Sequence, residues 1–132
     1  MEAYVDFLEL NLRGIEGALN RIRKFIWSHL YTWRKSRFVA RFLILDMRQD
    51  SGFHESAAYE ISRRYNALLL SLIQDGIVEG SIRSDLEPGM VLNLILGGIE
   101  QIALPWVSRE EPFDVDASAK GLSELVFRAV QV

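Results

Sequence analysis

The sequence predicts an all-α fold, a bundle of six helices, on three observations. Apolar residues recur at i, i+3 and i+4 through six segments, the spacing of one helix face. Gly, Pro and Asp stand where helices start and stop. No pair of alternating segments flanks a tight hairpin turn, so no sheet competes. The connections are short and no internal repeat is visible, which makes the 132 residues one domain.

The first helix is expected over Glu2–Leu12, where Tyr4, Phe7, Leu8 and Leu12 share a stripe opposite Glu2, Asp6 and Glu9. Gly14 and Gly17 break the chain on either side of Ile15. A second helix runs from about Gly17 to Trp33 on Leu19, Ile22, Ile26, Leu30 and Trp33, widened by Ala18, Phe25 and His29. Arg34 and Lys35 close it with cations beside the C-terminal dipole. A third, Phe38 to about Arg48, is apolar over more than half its circumference and is expected to be largely buried.

Gln49-Asp50-Ser51-Gly52 reads as a turn. The fourth helix runs from about His54 to Glu79 on Ala58, Ile61, Tyr65, Leu68, Leu72 and Ile73, with Gly76 a soft spot and Gly80 its stop. Glu87-Pro88 opens the fifth, and Pro105 is expected to end or kink it, because its ring meets the carbonyl one turn back. Asp114 caps the sixth, Val115 to about Ala129.

The fifth helix demands a partner. Between Met90 and Val107 only Asn93, Glu100 and Gln101 interrupt an apolar surface. One chain of this size covers one side of such a helix, and a second copy is expected on the other. Gly97 and Gly98 weaken the helix by roughly 1 kcal/mol each against alanine. A close helix crossing offsets that. The fifth and sixth helices of two chains are therefore expected to form a four-helix interface about a two-fold axis, through Leu94, Gly97, Gly98, Gln101, Leu122, Leu125, Val126 and Ala129.

Composition narrows the function classes. With no cysteine, there is no disulfide, thiolate metal site or cysteine nucleophile. No run approaches the roughly 20 apolar residues of a membrane span, and the acidic start MEAYVDFLEL is not a signal peptide; the expected compartment is the cytoplasm, without membrane contact. The net charge of −3 hides an asymmetry: eight of the 15 basic residues and four of the 18 acidic ones lie in 1–41. Those cations spread around their helices without an aromatic platform, so they read as solvated faces rather than a nucleic-acid surface.

His29 and His54 lack partners at metal-ligand spacing, so no metal is expected. Asp46 and Asp50, one turn apart, read as a solvated helix end rather than an acid–base pair. No phosphate loop or nucleophile arrangement is present, and neither an enzyme nor a cofactor is predicted. Bulky aromatic groups are frequent. Most are core, but such groups at several levels of a bundle also line cavities, with His29, Arg63, Tyr65 and Asn66 as candidate polar groups.

The segment GIVEGSIRSDLEPGMVLNLILGGIEQIALPW resembles the C-terminal half of TetR-family transcriptional regulators. The shared pattern is a long helix ending Gly-x-x-x-Gly-x-Ile-Arg-x-Asp, an acidic-Pro start, and an apolar helix with a glycine-rich middle and an aromatic end. Its positions here are Gly76, Gly80, Ile82, Arg83, Asp85, Glu87, Pro88, Gly97, Gly98 and Trp106; Glu111-Pro112-Phe113-Asp114 and the helix to Val130 also fit. Glu87 replaces the more usual Asp and is a poorer cap.

The resemblance implies an orthogonal bundle of the TetR C-terminal type, with 1–132 a ligand-binding and dimerisation domain. It implies that 1–12 is the remnant of the connecting helix and that 87–130 holds the dimerisation helices. The chain is then a homodimer, and a small hydrophobic or amphipathic effector, such as an acyl chain or aromatic compound, shifts its helices. The effector is expected near Phe25, His29, Phe42, Leu45, Tyr65 and Trp106. Operator DNA is implied only through a helix-turn-helix head that would precede Glu2, and Met1 is expected to open a truncated piece of a repressor. A second reading is a headless dimerisation partner that poisons an intact regulator and has no ligand of its own.

The dimer is directly measurable. Light scattering at micromolar concentration is expected to report twice the 15.1 kDa chain mass; a stable monomer contradicts the interface.

Overall fold

A computed structural model describes residues 2–46 and 57–132. Its helices are α1 (Glu2–Leu12), α2 (Ala18–Lys35), α3 (Arg37–Arg41), α4 (Ala57–Glu79), α5 (Pro88–Arg109) and α6 (Val115–Val130). Among the described residues the extended pairing is one isolated antiparallel bridge, Ile82 to Gln131. Helix α2 is the axis: it packs against each of the others. Its sequence allows this because Ile22, Phe25, Ile26, His29, Leu30 and Trp33 form two adjoining stripes at i, i+3 and i+4, all buried.

Both ends of α2 are held by other elements. Gly17, at its N-cap, has no side chain to offer, so the Glu79 carboxylate reaches over from the end of α4 and accepts the Ala18 N–H at 2.7 Å. The same carboxylate accepts the Ser81 hydroxyl at 2.8 Å. Beyond Lys35, Ser36 starts α3 by accepting the Val39 N–H.

The third predicted helix is corrected in two respects. The α-helix ends at Arg41 and widens into a π-helical turn, Phe42–Asp46. Phe38, expected on a buried line, is 75% exposed, whereas Ala40, Leu43 and Ile44 are buried. Ala40, Leu43 and Ile44 stand at i, i+3 and i+4, so the buried face of this segment lies on the side opposite Phe38. The predicted stretch at Met47, the turn at 49–52, Asp50 and His54 lie outside the described residues, as do the side chains of Leu45 and Asp46.

Gly76 is a contact site rather than a soft spot. A Cβ there would lie 2.5 Å from Ile82 Cδ1 and 3.1 Å from Ala18 Cβ. Gly80, at φ +88°, turns the chain back so that the N–H groups of Gly80, Ser81 and Ile82 all donate to the Gly76 carbonyl at 3.0–3.1 Å. Arg83 then reaches the end of α6: its N–H donates to Val130 O at 2.8 Å and its guanidinium to Ala129 O at 3.0 Å, while Asp85 holds it in a fork at 3.1 Å.

Glu87 caps α5 by accepting the Gly89 and Met90 N–H groups. Of the two outcomes expected at Pro105, an end is excluded: the helix continues to Arg109. Arg37 fastens this last turn, donating to Trp106 O at 2.9 Å and Val107 O at 2.6 Å, and Glu110 stops it at φ +58°. By length and composition α5 could also cross a bilayer, a property that counting unbroken apolar residues does not reveal. One stripe, Val91, Ile95, Ile99, Ala103 and Val107, is buried in the core.

The expected interface set divides. Val126 is 2% exposed and belongs to its own chain's core, a correction. Gly98 faces Leu122 of the same chain, whose Cδ1 lies 2.6 Å from where a Cβ would stand. Gly97 faces open space. Leu94, Gln101, Leu125 and Ala129 are exposed, with Leu94 at 49%, Leu125 at 71% and the neighbouring Met90 at 66%.

Gly76→Ala is expected to lower stability by about 1–3 kcal/mol, because branched, buried Ile82 must move. Chemical denaturation checks this; an unchanged midpoint would show that Ile82 relaxes freely.

Candidate functional site

Three of the predicted site residues meet where α1, α2 and α4 converge. His29 lies at the centre: its ring centroid is 4.7 Å from Phe25 and 4.7 Å from Tyr65, both edge-on. Trp33, one turn along α2, is 5.2 Å away, and Tyr4 of α1 is 5.4 Å away. Positions 25, 29 and 33 share one line along α2 because they are four residues apart. That line faces both Tyr4 and Tyr65, whose own ring centroids are 6.0 Å apart.

Every member of this cluster is buried. The Tyr4 hydroxyl is hydrogen-bonded to His29 Nδ1. Burial pushes the imidazole down to about 3, so the ring is neutral near pH 7. Burial, then the neighbouring Tyr65, pushes the Tyr4 phenol well above its ordinary range. The Trp33 indole N–H approaches the same phenol and restrains that rise, but it has no hydrogen bond of good geometry. His29 Nε2 has no protein partner at all.

The other expected residues lie elsewhere. Phe42 is half-buried and stacks on exposed Phe38, with centroids 6.5 Å apart. The Trp106 indole N–H donates to the Trp33 carbonyl at 2.9 Å, and the Arg34 guanidinium sits 4.5 Å from its ring centre. Trp106 therefore braces α5 against the end of α2. Arg63 is exposed and pairs with Glu60 at 3.7 Å; the Asn66 side-chain oxygen is buried without a partner. Sequence reading placed Tyr4 only in a helix stripe, and Trp33 in a stripe and among the bulky groups that fill a core or line a cavity. The available signal was chemical: a buried hydroxyl and a buried imidazole each require a partner.

A groove of about 370 Å³ runs between α1 and the end of α2, lined by Ala3, Tyr4, Phe7, Tyr31, Lys35 and Val39 among others. Tyr4 thus belongs to both the groove and the cluster. A larger depression of about 680 Å³ lies between α2 and α6, with Trp27 donating to Asp116 at 2.7 Å and with Arg23, Lys24, Lys120 and Glu124 also lining it. A third, of about 590 Å³, follows the exposed α5–α6 face past Met90, Leu94 and Ala129. Among the described residues, no three His, Cys, Asp or Glu side chains group as metal ligands.

Residues 1–129 match the family model described as "YsiA-like protein, C-terminal region", of the TetR type. The chain is 21% identical over 130 residues to the fatty acid metabolism regulator protein of Bacillus subtilis (strain 168), covering 98% of this chain and 67% of the relative. The crystal structure of the transcriptional regulator FadR from Bacillus subtilis, in complex with stearoyl-CoA, superposes with TM-score 0.83 at 21% identity, over 96% of this chain and 68% of that one. The ketosteroid transcriptional regulator KstR2 of Mycobacterium tuberculosis superposes with TM-score 0.73 at 12% identity, over 99% and 69%. At these identities the structural likeness speaks for the fold.

Buried neutral His29 gives the stability a pH dependence. Its folded value lies below the unfolded one, so the unfolded chain binds the extra proton. Stability is full above about pH 6.5 and is lost as pH falls toward 3, at up to about 1.4 kcal/mol per unit. Glu79 and Asp85, held low by their hydrogen bonds, act in the same direction but only below the ordinary carboxylate range. Denaturation at pH 7 and pH 5 therefore isolates His29: the wild type is expected to weaken and His29→Phe to lose most of that slope. Equal slopes would remove His29 as the source.

Proposed function

The chain belongs to the TetR family, in its YsiA-like C-terminal branch, and from that premise we propose that residues 1–132 form the effector-binding and dimerisation region of a transcriptional regulator. The relatives are regulators of transcription rather than enzymes. The observation that carries the effector reading is the His29 cluster, which buries imidazole, phenol and indole groups inside an aromatic shell where three helices meet. A large apolar body with one polar group suits such surroundings. The Bacillus subtilis regulator is seen in complex with stearoyl-CoA, whose stearoyl chain is such an apolar body, joined through one thioester carbonyl to a polar, charged carrier.

The control mechanism is a shift between helix arrangements. A ligand moves such an equilibrium only by the difference in its affinity for the two states. Tyr4 ties α1 to His29, so a ligand that opens the cluster acts directly on α1. In the whole regulator α1 would be the connecting helix, leading to a head that binds operator DNA in the cytoplasm, and release of that DNA makes the protein a repressor.

The exposed α5–α6 face supports a homodimer. Met90 and Leu94 of α5 share one exposed depression with Ala129 of α6, and Leu125, Gly97 and Gln101 are also exposed on these two helices. Gly97, bare of neighbours in one chain, is where a partner helix would approach.

Thermal unfolding with a long-chain acyl-CoA and with a ketosteroid tests the reading. A true effector is expected to raise the melting temperature by roughly 10 °C at a hundredfold excess over its Kd. An unmoved transition with both classes would count against an effector site of this kind.

A further inference from the structure

We propose that His29 is the specificity-determining residue of this site, its Nε2–H donating to a neutral carbonyl oxygen on the apolar, buried part of an effector. This deepens the effector reading above and rests on it.

Proton positions follow from the partners. The hydrogen-bond partner of the Tyr4 hydroxyl is His29 Nδ1, and the Trp33 indole N–H makes no bond to it. An O–H donated to Nδ1 leaves only the Nε2–H unpaired, whereas an Nδ1–H donor would strand both the hydroxyl proton and Nε2. The phenol proton therefore goes to His29 Nδ1. The phenol keeps that proton because burial opposes its ionisation. The neutral ring must then carry its own proton on Nε2. That N–H is fully buried and meets no protein acceptor. Phe25 and Tyr65 stand edge-on to the ring, and an aromatic ring is in any case a weak acceptor beside a carbonyl.

A buried donor without an acceptor is unfavourable, and an incoming acceptor relieves it. The His29 ring is surrounded by the aromatic side chains of Tyr4, Phe25, Trp33 and Tyr65, none of them cationic. A carboxylate would enter without a counter-charge, whereas a thioester or ketone oxygen accepts the bond and stays neutral. Entry is linked to the same pair of residues. Tyr4 lines the groove between α1 and α2, so a ligand arriving there first meets the phenol that sets the His29 tautomer.

The test uses ligand pairs that differ only in the carbonyl. One pair is a long-chain acyl thioester of coenzyme A and its S-alkyl thioether; the other is a ketosteroid and its deoxy counterpart. The unmodified protein is expected to bind the carbonyl member at least tenfold more tightly. His29→Phe is expected to bring the two members within about twofold of each other, while Tyr4→Phe, which frees the tautomer, narrows the gap. Whichever pair binds identifies the source of the carbonyl. Imidazole ¹⁵N shifts of the unmodified protein supply a readout independent of any variant's folding, and the Nε2–H form is expected. Equal affinity within a pair that does bind, or an Nδ1–H ring, overturns the inference and leaves the effector reading standing. Failure of all four ligands to bind overturns the effector reading, and this inference with it.

Discussion

Ile82 lies over the bare backbone of Gly76, and three helices, α2, α4 and α6, are tied together around that contact. Because the side chain at 76 is absent, the chain folds back tightly enough for Ile82 to enter the core. The turn this creates carries Glu79 to the start of α2 and Arg83 to the end of α6. Two helix termini that lack adequate caps of their own are satisfied from one loop. The family motif around Gly76, Gly80, Ile82, Arg83 and Asp85 is therefore a mechanical joint: a close approach, a left-handed turn, a core anchor and a clamp on α6 carbonyls. With α2 fixed at its first residue by this joint, the His29 line meets α1 and α4 at a defined depth.

At that depth the protein places polar chemistry where an all-hydrocarbon core would be more stable. A neutral imidazole, a protonated phenol and an indole N–H are all withdrawn from water and only partly paired. Incomplete pairing is uncommon in buried networks, and a ligand-responsive region gives it a use. An interior satisfied completely by its own groups would have little to gain from an effector. One that lacks an acceptor can be closed in one state and better satisfied in another. The tie between Tyr4 and His29 connects that choice to the helix nearest the N-terminus.

The paired glycines of α5 show how one motif serves two surfaces. Adjacent residues on a helix point about 100° apart, so two neighbouring glycines open two different faces. Gly98 admits Leu122 within the chain, and Gly97 leaves the outer face bare. The same geometry assigns Val126 inward and Leu125 outward. An apolar pattern on most sides of α5 thus combines a core stripe with an unpartnered stripe, a distinction that composition alone does not make.

Much of this protein was legible before any coordinates. Outside the third helix, the helical periods, the breaks at Gly14, Gly17 and Gly80, the start at Glu87-Pro88 and the cap at Asp114 are local properties of the backbone, and each stands where the sequence indicates. The TetR-type motif was legible for the same reason, being contiguous in the chain. Of the site, Phe25, His29 and Tyr65 were legible as bulky or polar members of apolar stripes. Tyr4 was not distinguished from core, and Phe42 and Trp106 took other partners. By itself, the sequence determined which segments are helical and which family they form, because spacing and capping act over one or two turns. Only the tertiary structure decided which of Gly97 and Gly98 meets a neighbour, how far α5 runs past Pro105, and which ring bonds His29, because those outcomes depend on contacts between residues 24 to 70 positions apart.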